Sequence, residues 1–330
     1  MKTVLVTGCA GFIGWMVSKK LLDSGHSVLG IDNVNGYYDP RLKRWRLEAL
    51  SSHRKFAFHE EDIADHEKMK KIIEPKEVSK SLGDPVDAII NLAARAGVRA
   101  SVEDPWVYLD TNTKGTLNLL ECCKDFGIKK FVLASTSSIY GLNEMPFRET
   151  DNTDHPLAPY SATKKAAEAM CYTYHFLHGI DVSVPRYFTV YGPAGRPDMS
   201  IFRFIRNIDT GKKIPVFGDG KQKRDFTYID DIADGTLKCL QPFGYEVFNL
   251  GNDDPSELMY VISLIEENLQ RKASIEWLDR HPADVPATWA DIEKSKRMLK
   301  WSPTVSVEDG VRNTVRWYKE NRDFLLTLKG

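Results

Sequence analysis

Only five cysteines occur in 330 residues, and none forms a CxxC pair or a metal-ligand spacing with the eight histidines. That pattern excludes a disulfide framework and a zinc site, and predicts reduced core thiols in a cytoplasmic protein. Net charge is nearly absent as well, since 45 Lys and Arg stand against 46 Asp and Glu. No global field draws such a chain to nucleic acid or to an anionic membrane, so an anionic ligand must be met by local Arg and Lys. The one dense basic run, RLKRWR at 41 to 46, lacks the wider basic surface of a nucleic-acid footprint and reads as a solvated helix face. No apolar stretch approaches a membrane span, and MKTVLVTGCAG enters a strand at once, so we expect a protein that is not exported. Internal repeats and low-complexity tracts are lacking too.

What is present is an alternation of strands and helices. With 42% hydrophobic and 28% charged residues, the chain can bury the core of one large or two modest domains. The first 190 positions read KTVLVTG, a helix to about Ser24, HSVLGID, a basic helix near 40 to 50, KFAFHEEDI and VDAIINLAA. A helix around 108 to 126, KKFVLAS, a helix from about 160 to 178 and DVSVPRYF follow. Apolar strands joined by helix-length connections predict βαβ units, hence a doubly wound α/β fold with helices on both faces of a parallel sheet. Past Tyr187 the pattern loosens through YGPAGRPDMS, KKIPVFGDGKQKRDFTYIDD and YEVFNLGN. We read this part as a smaller C-terminal domain, interleaved with strands that return to the first sheet.

The turn after the first strand, VTGCAGFIG, spaces Gly8, Gly11 and Gly14 as GxxGxxG, with Phe12 and Ile13 between. Glycines there allow a tight turn and close backbone approach to a pyrophosphate at a helix N-terminus. A plain strand-to-helix turn would use the same residues, but the next strand ends in Asp32, followed by Asn33. An acidic residue at that range receives adenosine ribose hydroxyls and repels a 2′-phosphate, which favours NAD over NADP. Asp62 and Ile63, after the third strand, are placed to meet the adenine, or serve as ordinary loop residues. Leu92, Ala93 and Ala94 of NLAARAG are small enough to lie beside a cofactor. The expected division is then a Rossmann-type NAD-binding domain of residues 1–187 with returning segments near 225–250. Residues 188–224 and 251–330 would form the substrate domain.

Of thirteen tyrosines only Tyr160 has a lysine four residues on, in YSATKKAAE, so helical spacing puts Tyr160 and Lys164 on one face. An ammonium near a phenol, with the positively charged nicotinamide close by, favours the phenolate and draws its pKa from about 10 towards neutrality, which makes the tyrosine a usable base. YxxxK alone also occurs on ordinary surface helices; its weight comes from the dinucleotide loop and from LASTSSIYG. There Ser135, Thr136, Ser137 and Ser138 stand in a row where a buried parallel strand ends, the edge at which open α/β sheets bind ligands.

TGCAGFIG, YSATK and STSSIYG together resemble the extended short-chain dehydrogenase/reductase superfamily, over nearly the whole chain. More narrowly, DNVNGYYDPRLKRWRL, ARAGVR, PYSATKKAAEAM, YFTVYGPAGRPDMSIFRF and RDFTYIDDI are similar to UDP-glucuronate 4-epimerases. That resemblance implies a resident NAD, a UDP-sugar acid as substrate, a homodimer formed through the YxxxK helix and the one before it, and no membrane or nucleic-acid partner. It implies Tyr160 as the base, Lys164 as its electrostatic partner and Thr136 as the hydroxyl bonded to the sugar 4-oxygen. Arg224 of RDFTY would meet the diphosphate. Arg99 of ARAGVR, Arg196 of GRPDM, Thr189 of FTVYG, Ser137 and Ser138 would contact the substrate. Before DVP, related sequences carry Gln-Pro-Gly, whereas this chain has RHPAD, so His281 stands where an amide is expected.

The hydroxyl row then has a chemical purpose. Oxidising C4 of a uronic acid creates a β-keto acid, which loses CO2 readily unless its carboxylate is held. Each charge-assisted bond contributes about 1.5 to 3 kcal/mol, so three could slow decarboxylation roughly a thousandfold. Related decarboxylases carry Glu beside this hydroxyl and nucleotide-sugar dehydratases Asp-Glu, where this chain has Ser137 and Ser138. A UDP-galactose 4-epimerase would share every motif down to YxxxK but has no need of Arg196. An NAD-binding protein without turnover would have no need of Tyr160, Lys164 and Thr136 together.

Overall fold

A computed structural model describes residues 2–279 and 287–329. Its strands are β1 (Thr3–Thr7), β2 (Ser27–Asp32), β3 (Phe56–Glu60), β4 (Ala88–Asn91), β5 (Lys130–Leu133), β6 (Ser135–Thr136) and β7 (Asp181–Tyr187). They continue as β8 (Thr189–Tyr191), β9 (Lys213–Phe217), β10 (Lys223–Arg224), β11 (Phe226–Tyr228), β12 (Tyr245–Leu250), β13 (Ser256–Glu257) and β14 (Ser274–Leu278). The large sheet has the order β12-β7-β5-β4-β1-β2-β3 with every pairing parallel, and β6 extends the β5 side against β7. The architecture is the doubly wound α/β fold expected from the alternation.

The period of two along β1 explains how one sheet feeds two cores. Val4 and Val6 pack with helix α1 (Phe12–Asp23) and helix α2 (Pro40–Ser51) on one face. Leu5 points to the other, with Ile89, Phe131, Leu119 and Ala167. All five cysteines are free and buried in these cores. Because β1 lies between β2 and β4, strand order reverses beside it, and the loops leaving β1, β2, β4 and β6 gather at one edge. β12 returns to the sheet beside β7, while β8 pairs β11, β9 pairs β14 and β10 pairs β13 in three small two-stranded sheets.

Two local expectations are corrected. The segment expected as one helix over 108 to 126 is Pro105–Tyr108, a π-helical stretch Leu109–Lys114, and Gly115–Phe126. The wider turn carries buried Asn112, whose amide donates to Arg95 O (3.1 Å) and Thr163 Oγ1 (3.1 Å) while its Oδ1 accepts from Arg95 N (2.8 Å). The basic run RLKRWR is not a solvated face. Helical period aligns Lys43 and Arg46 with Leu42, Leu47 and Leu50 on the buried side of α2, leaving only Arg41 and Arg44 of its basic residues outside.

Candidate active site

The cofactor edge is built by close backbone packing. Gly8 has φ +68°, and a Cβ there would lie 2.8 Å from Ala93 N, so only glycine lets β1 and β4 end side by side. A Cβ on Gly14 would sit 2.0 Å from Gly8 O, which fixes the third glycine by contact between loop and helix. Gly11 is the N-cap of α1 and no side chain caps that end, so the leading amides of Phe12, Ile13 and Gly14 are the only groups presented there. Asp32 is buried, accepts from Val34 N (2.8 Å) and Ala10 N (3.2 Å), and has Lys43 Nζ at 3.7 Å. Two carboxylate oxygens retain acceptor capacity after those bonds.

Asn33 and Asp62 meet each other, the Asn33 amide donating to Asp62 Oδ2 at 2.7 Å. Ile63 is core instead of pocket wall: it packs on Gly115, and its carbonyl accepts from Asn118 Nδ2 at 2.9 Å. Leu92, Ala93 and Ala94 are half-buried at the β4 exit, and Ala93 N donates to Thr7 Oγ1 at 3.1 Å.

The chemical edge lies on the helix Pro159–His178. Burial pushes the Tyr160 phenol above its ordinary pKa, while the nearby Thr136 hydroxyl and the charge of Arg196 pull the other way. Without the charge of a bound nicotinamide, desolvation outweighs these two groups. Lys164 is 3% exposed and its amine has no hydrogen-bond partner among the described residues. Burial lowers its pKa to about 8, against the opposing pull of Glu168.

The four hydroxyls divide by strand alternation. Ser135 turns away from the phenol and donates to Glu168 Oε1 at 2.5 Å. Thr136 faces Tyr160, and its Oγ1 accepts from Ser138 N (3.1 Å) and donates to Ser138 Oγ (3.1 Å). Ser137 and Ser138 remain half-exposed. Glu168 also takes a bidentate pair from Arg186 (3.1 and 2.8 Å), which in turn donates to Tyr140 Oη at 3.0 Å.

Among the other expected residues, Arg196 is half-buried and pairs with the exposed Asp198 (2.5 Å), its guanidinium 5.4 Å above the Tyr37 ring. Phe12, Thr189, Gly192, Gly195 and Arg196 line one cleft, which joins the glycine-rich loop to the loop after β8. Arg99 stacks on Phe217 at 4.3 Å, and Arg224 donates to Lys223 O at 2.9 Å on β10. His281 lies outside the described residues. Sequence reasoning missed Lys43, Arg46, Asn112 and Glu168. Glu168 alone had a local signal, one helical turn beyond Lys164 on the same buried face.

The dinucleotide reading is consistent with an uncapped helix end, a glycine loop closed against β4, a buried carboxylate after β2 and a buried lysine whose amine makes no hydrogen bond among the described residues. Comparison with known proteins places this arrangement. The family described as GDP-mannose 4,6 dehydratase matches residues 5–314. A UDP-glucuronate 4-epimerase of Thermodesulfobacterium geofontis is 55% identical over 98% of this chain and 98% of its own. The crystal structure of the Bacillus cereus UDP-glucuronic acid 4-epimerase in complex with UDP-glucuronic acid and NAD is similar with a TM-score of 0.88. Its identity is 37%, covering 96% of this chain and 99% of that one. A UDP-glucose 4-epimerase of Thermotoga maritima is nearly as similar in fold, with a TM-score of 0.87 at 31% identity, covering 97% and 99%. Fold alone therefore does not separate substrates. The chain belongs to the GDP-mannose 4,6 dehydratase family, within the extended short-chain dehydrogenases/reductases.

Proposed function

We propose that the protein is an NAD-dependent UDP-glucuronate 4-epimerase, which inverts C4 to give UDP-galacturonate without loss of CO2. The observation that carries this reading is that Thr189 and Arg196 line one cleft with Phe12 of the glycine-rich loop, while positions 137 and 138 hold serines and no carboxylate. A sugar carboxylate gives the Arg196 guanidinium a charged partner that an uncharged hydroxymethyl group does not.

NAD, when bound, supplies a hydride acceptor and a positively charged ring. Gly8, Gly11 and Gly14 with the amides of Phe12 and Ile13 would hold its pyrophosphate, Asp32 and Asn33 its adenosine ribose, Asp62 the adenine edge, and Lys164 the inner ribose. Leu92 to Ala94 would shape the walls. Tyr160 takes the proton of the sugar 4-hydroxyl and returns it, Thr136 holds the 4-oxygen, and Lys164 in its ammonium form favours the phenolate. Ser137, Ser138, Thr189 and Arg196 hold the C6 carboxylate, keeping it ionised and attached. Arg224 serves the nucleotide diphosphate, and Arg99 contacts the substrate.

The same reading takes residues 1–187 with segments near 225–250 as the NAD-binding domain and the remainder as the UDP-sugar domain. A homodimer is supported by exposed Trp106 (74%) and Phe176 (76%), with Val102, Leu109 and Leu177, on helices that pack together at the YxxxK edge. Five unpaired thiols suit the reducing cytoplasm. No helix among the described residues is long and apolar enough to cross a membrane. The test is to release the cofactor from purified protein and separate the products formed from UDP-glucuronate. NAD and UDP-galacturonate are expected; NADP, or a pentose nucleotide as main product, would overturn the reading.

A further inference from the structure

We propose that Arg46 is a positioning residue that couples the glycine-rich cofactor loop to the loop presenting Arg196, and so sets the preference for a sugar acid. The inference rests on the epimerase reading above. Arg46 is 0% exposed, and no carboxylate pairs with it among the described residues. Its charge is met by a fork of five contacts. Nη1 donates to Ala10 O (2.9 Å) and Tyr38 Oη (2.7 Å), Nη2 to Ala194 O (2.7 Å) and Gly195 O (3.3 Å), and Nε to Ala194 O (3.2 Å). Ala10 belongs to GxxGxxG, and Ala194 and Gly195 immediately precede Arg196.

Two features make this more than a staple. Ala194 has φ +56°, a left-handed conformation that disfavours a side-chain-bearing residue about five- to thirty-fold, and Arg46 grips its carbonyl twice. Tyr38, on the other side of the guanidinium, adjoins Tyr37, whose ring lies under Arg196. Arg46 thus holds both the backbone from which Arg196 departs and the segment against which its side chain rests. Lysine at 46 would keep the charge but offers three donors from one point, so it cannot span Ala10 and Ala194 together.

The experiment compares kcat/KM on UDP-glucuronate and UDP-glucose for holoenzyme of wild type, Arg196→Ala, Arg46→Lys, Arg46→Lys with Ala194→Gly, and Tyr38→Phe. Arg46→Lys should lose at least about fivefold more on UDP-glucuronate than on UDP-glucose. Adding Ala194→Gly, which needs no help to occupy φ +56°, should recover at least about threefold of that selective loss. Equal losses on both substrates, or no recovery with glycine, would overturn the proposal. If Arg46→Lys does not fold, Tyr38→Phe carries the test: a loss confined to the acid supports the coupling, and an equal or absent effect refutes it. A wild type indifferent to the acid, or an Arg196→Ala that loses both substrates alike, would instead sink the epimerase reading and this inference with it. Normal behaviour of those two beside an unselective Arg46→Lys sinks the coupling alone.

Discussion

Replacing Lys164 by Met should stabilise the cofactor-free protein at pH 7 while removing its activity. The lysine is buried and its amine makes no hydrogen bond among the described residues, and its pKa falls from 10.5 to about 8. That difference corresponds to roughly 3 kcal/mol against the folded state wherever both states are protonated, which is below about pH 8. Between about pH 8 and 10.5 the unfolded chain keeps a proton that the folded one has released, so wild-type stability rises with pH across that window. Methionine fills the space with no charge to desolvate. For a chain of this length, roughly 3 kcal/mol is about 5 °C in Tm. Thermal unfolding of cofactor-free wild type and Lys164→Met from pH 7 to 10.5 should show the variant ahead at pH 7 and the gap closing towards pH 10.5. A variant less stable at pH 7, or a gap constant with pH, would refute the assignment of Lys164 as a buried ammonium held for function at a cost in stability.

Tyr160→Phe should fold and bind UDP-sugar normally yet lose at least about a hundredfold in kcat, read by steady-state turnover; near-normal turnover would remove it as the base. Glu168→Gln leaves the Arg186 guanidinium, 4% exposed, without its counter-charge, and denaturant unfolding should show a loss of about 3 to 5 kcal/mol. Ser138→Glu sets like charge against the substrate carboxylate, so weaker UDP-glucuronate binding with some CO2 release is expected, and chromatography for a pentose nucleotide checks it.

What sequence reasoning recovered was whatever depends on short spacing. The glycine triplet, Asp32 at the end of β2 and the YxxxK pair are local patterns, and the strand alternation was enough for the parallel sheet. It failed where the destination of a side chain depends on distant backbone. RLKRWR reads as solvent-facing because charges usually are, and nothing near Arg46 in the chain announces that carbonyls of Ala10 and Ala194 will receive it. Ser135 illustrates a milder failure. Four consecutive hydroxyls invite one reading, yet strand alternation sends Ser135 to Glu168 and Thr136 to Tyr160. The π-helical turn at Asn112 likewise has no local signature, since its purpose is to join the Arg95 loop to the YxxxK helix.

The central claim, that the site reads a sugar carboxylate and keeps it attached, is tested most directly by one incubation series. Purified protein is given UDP-glucuronate or UDP-glucose at equal concentration, and 4-epimer and CO2 are counted together over time. A site whose polar groups recognise a carboxylate should favour UDP-glucuronate by up to about four orders of magnitude in kcat/KM, with UDP-galacturonate as product and no CO2 above background. Comparable turnover of UDP-glucose, or CO2 released in step with UDP-glucuronate consumption, would contradict the account.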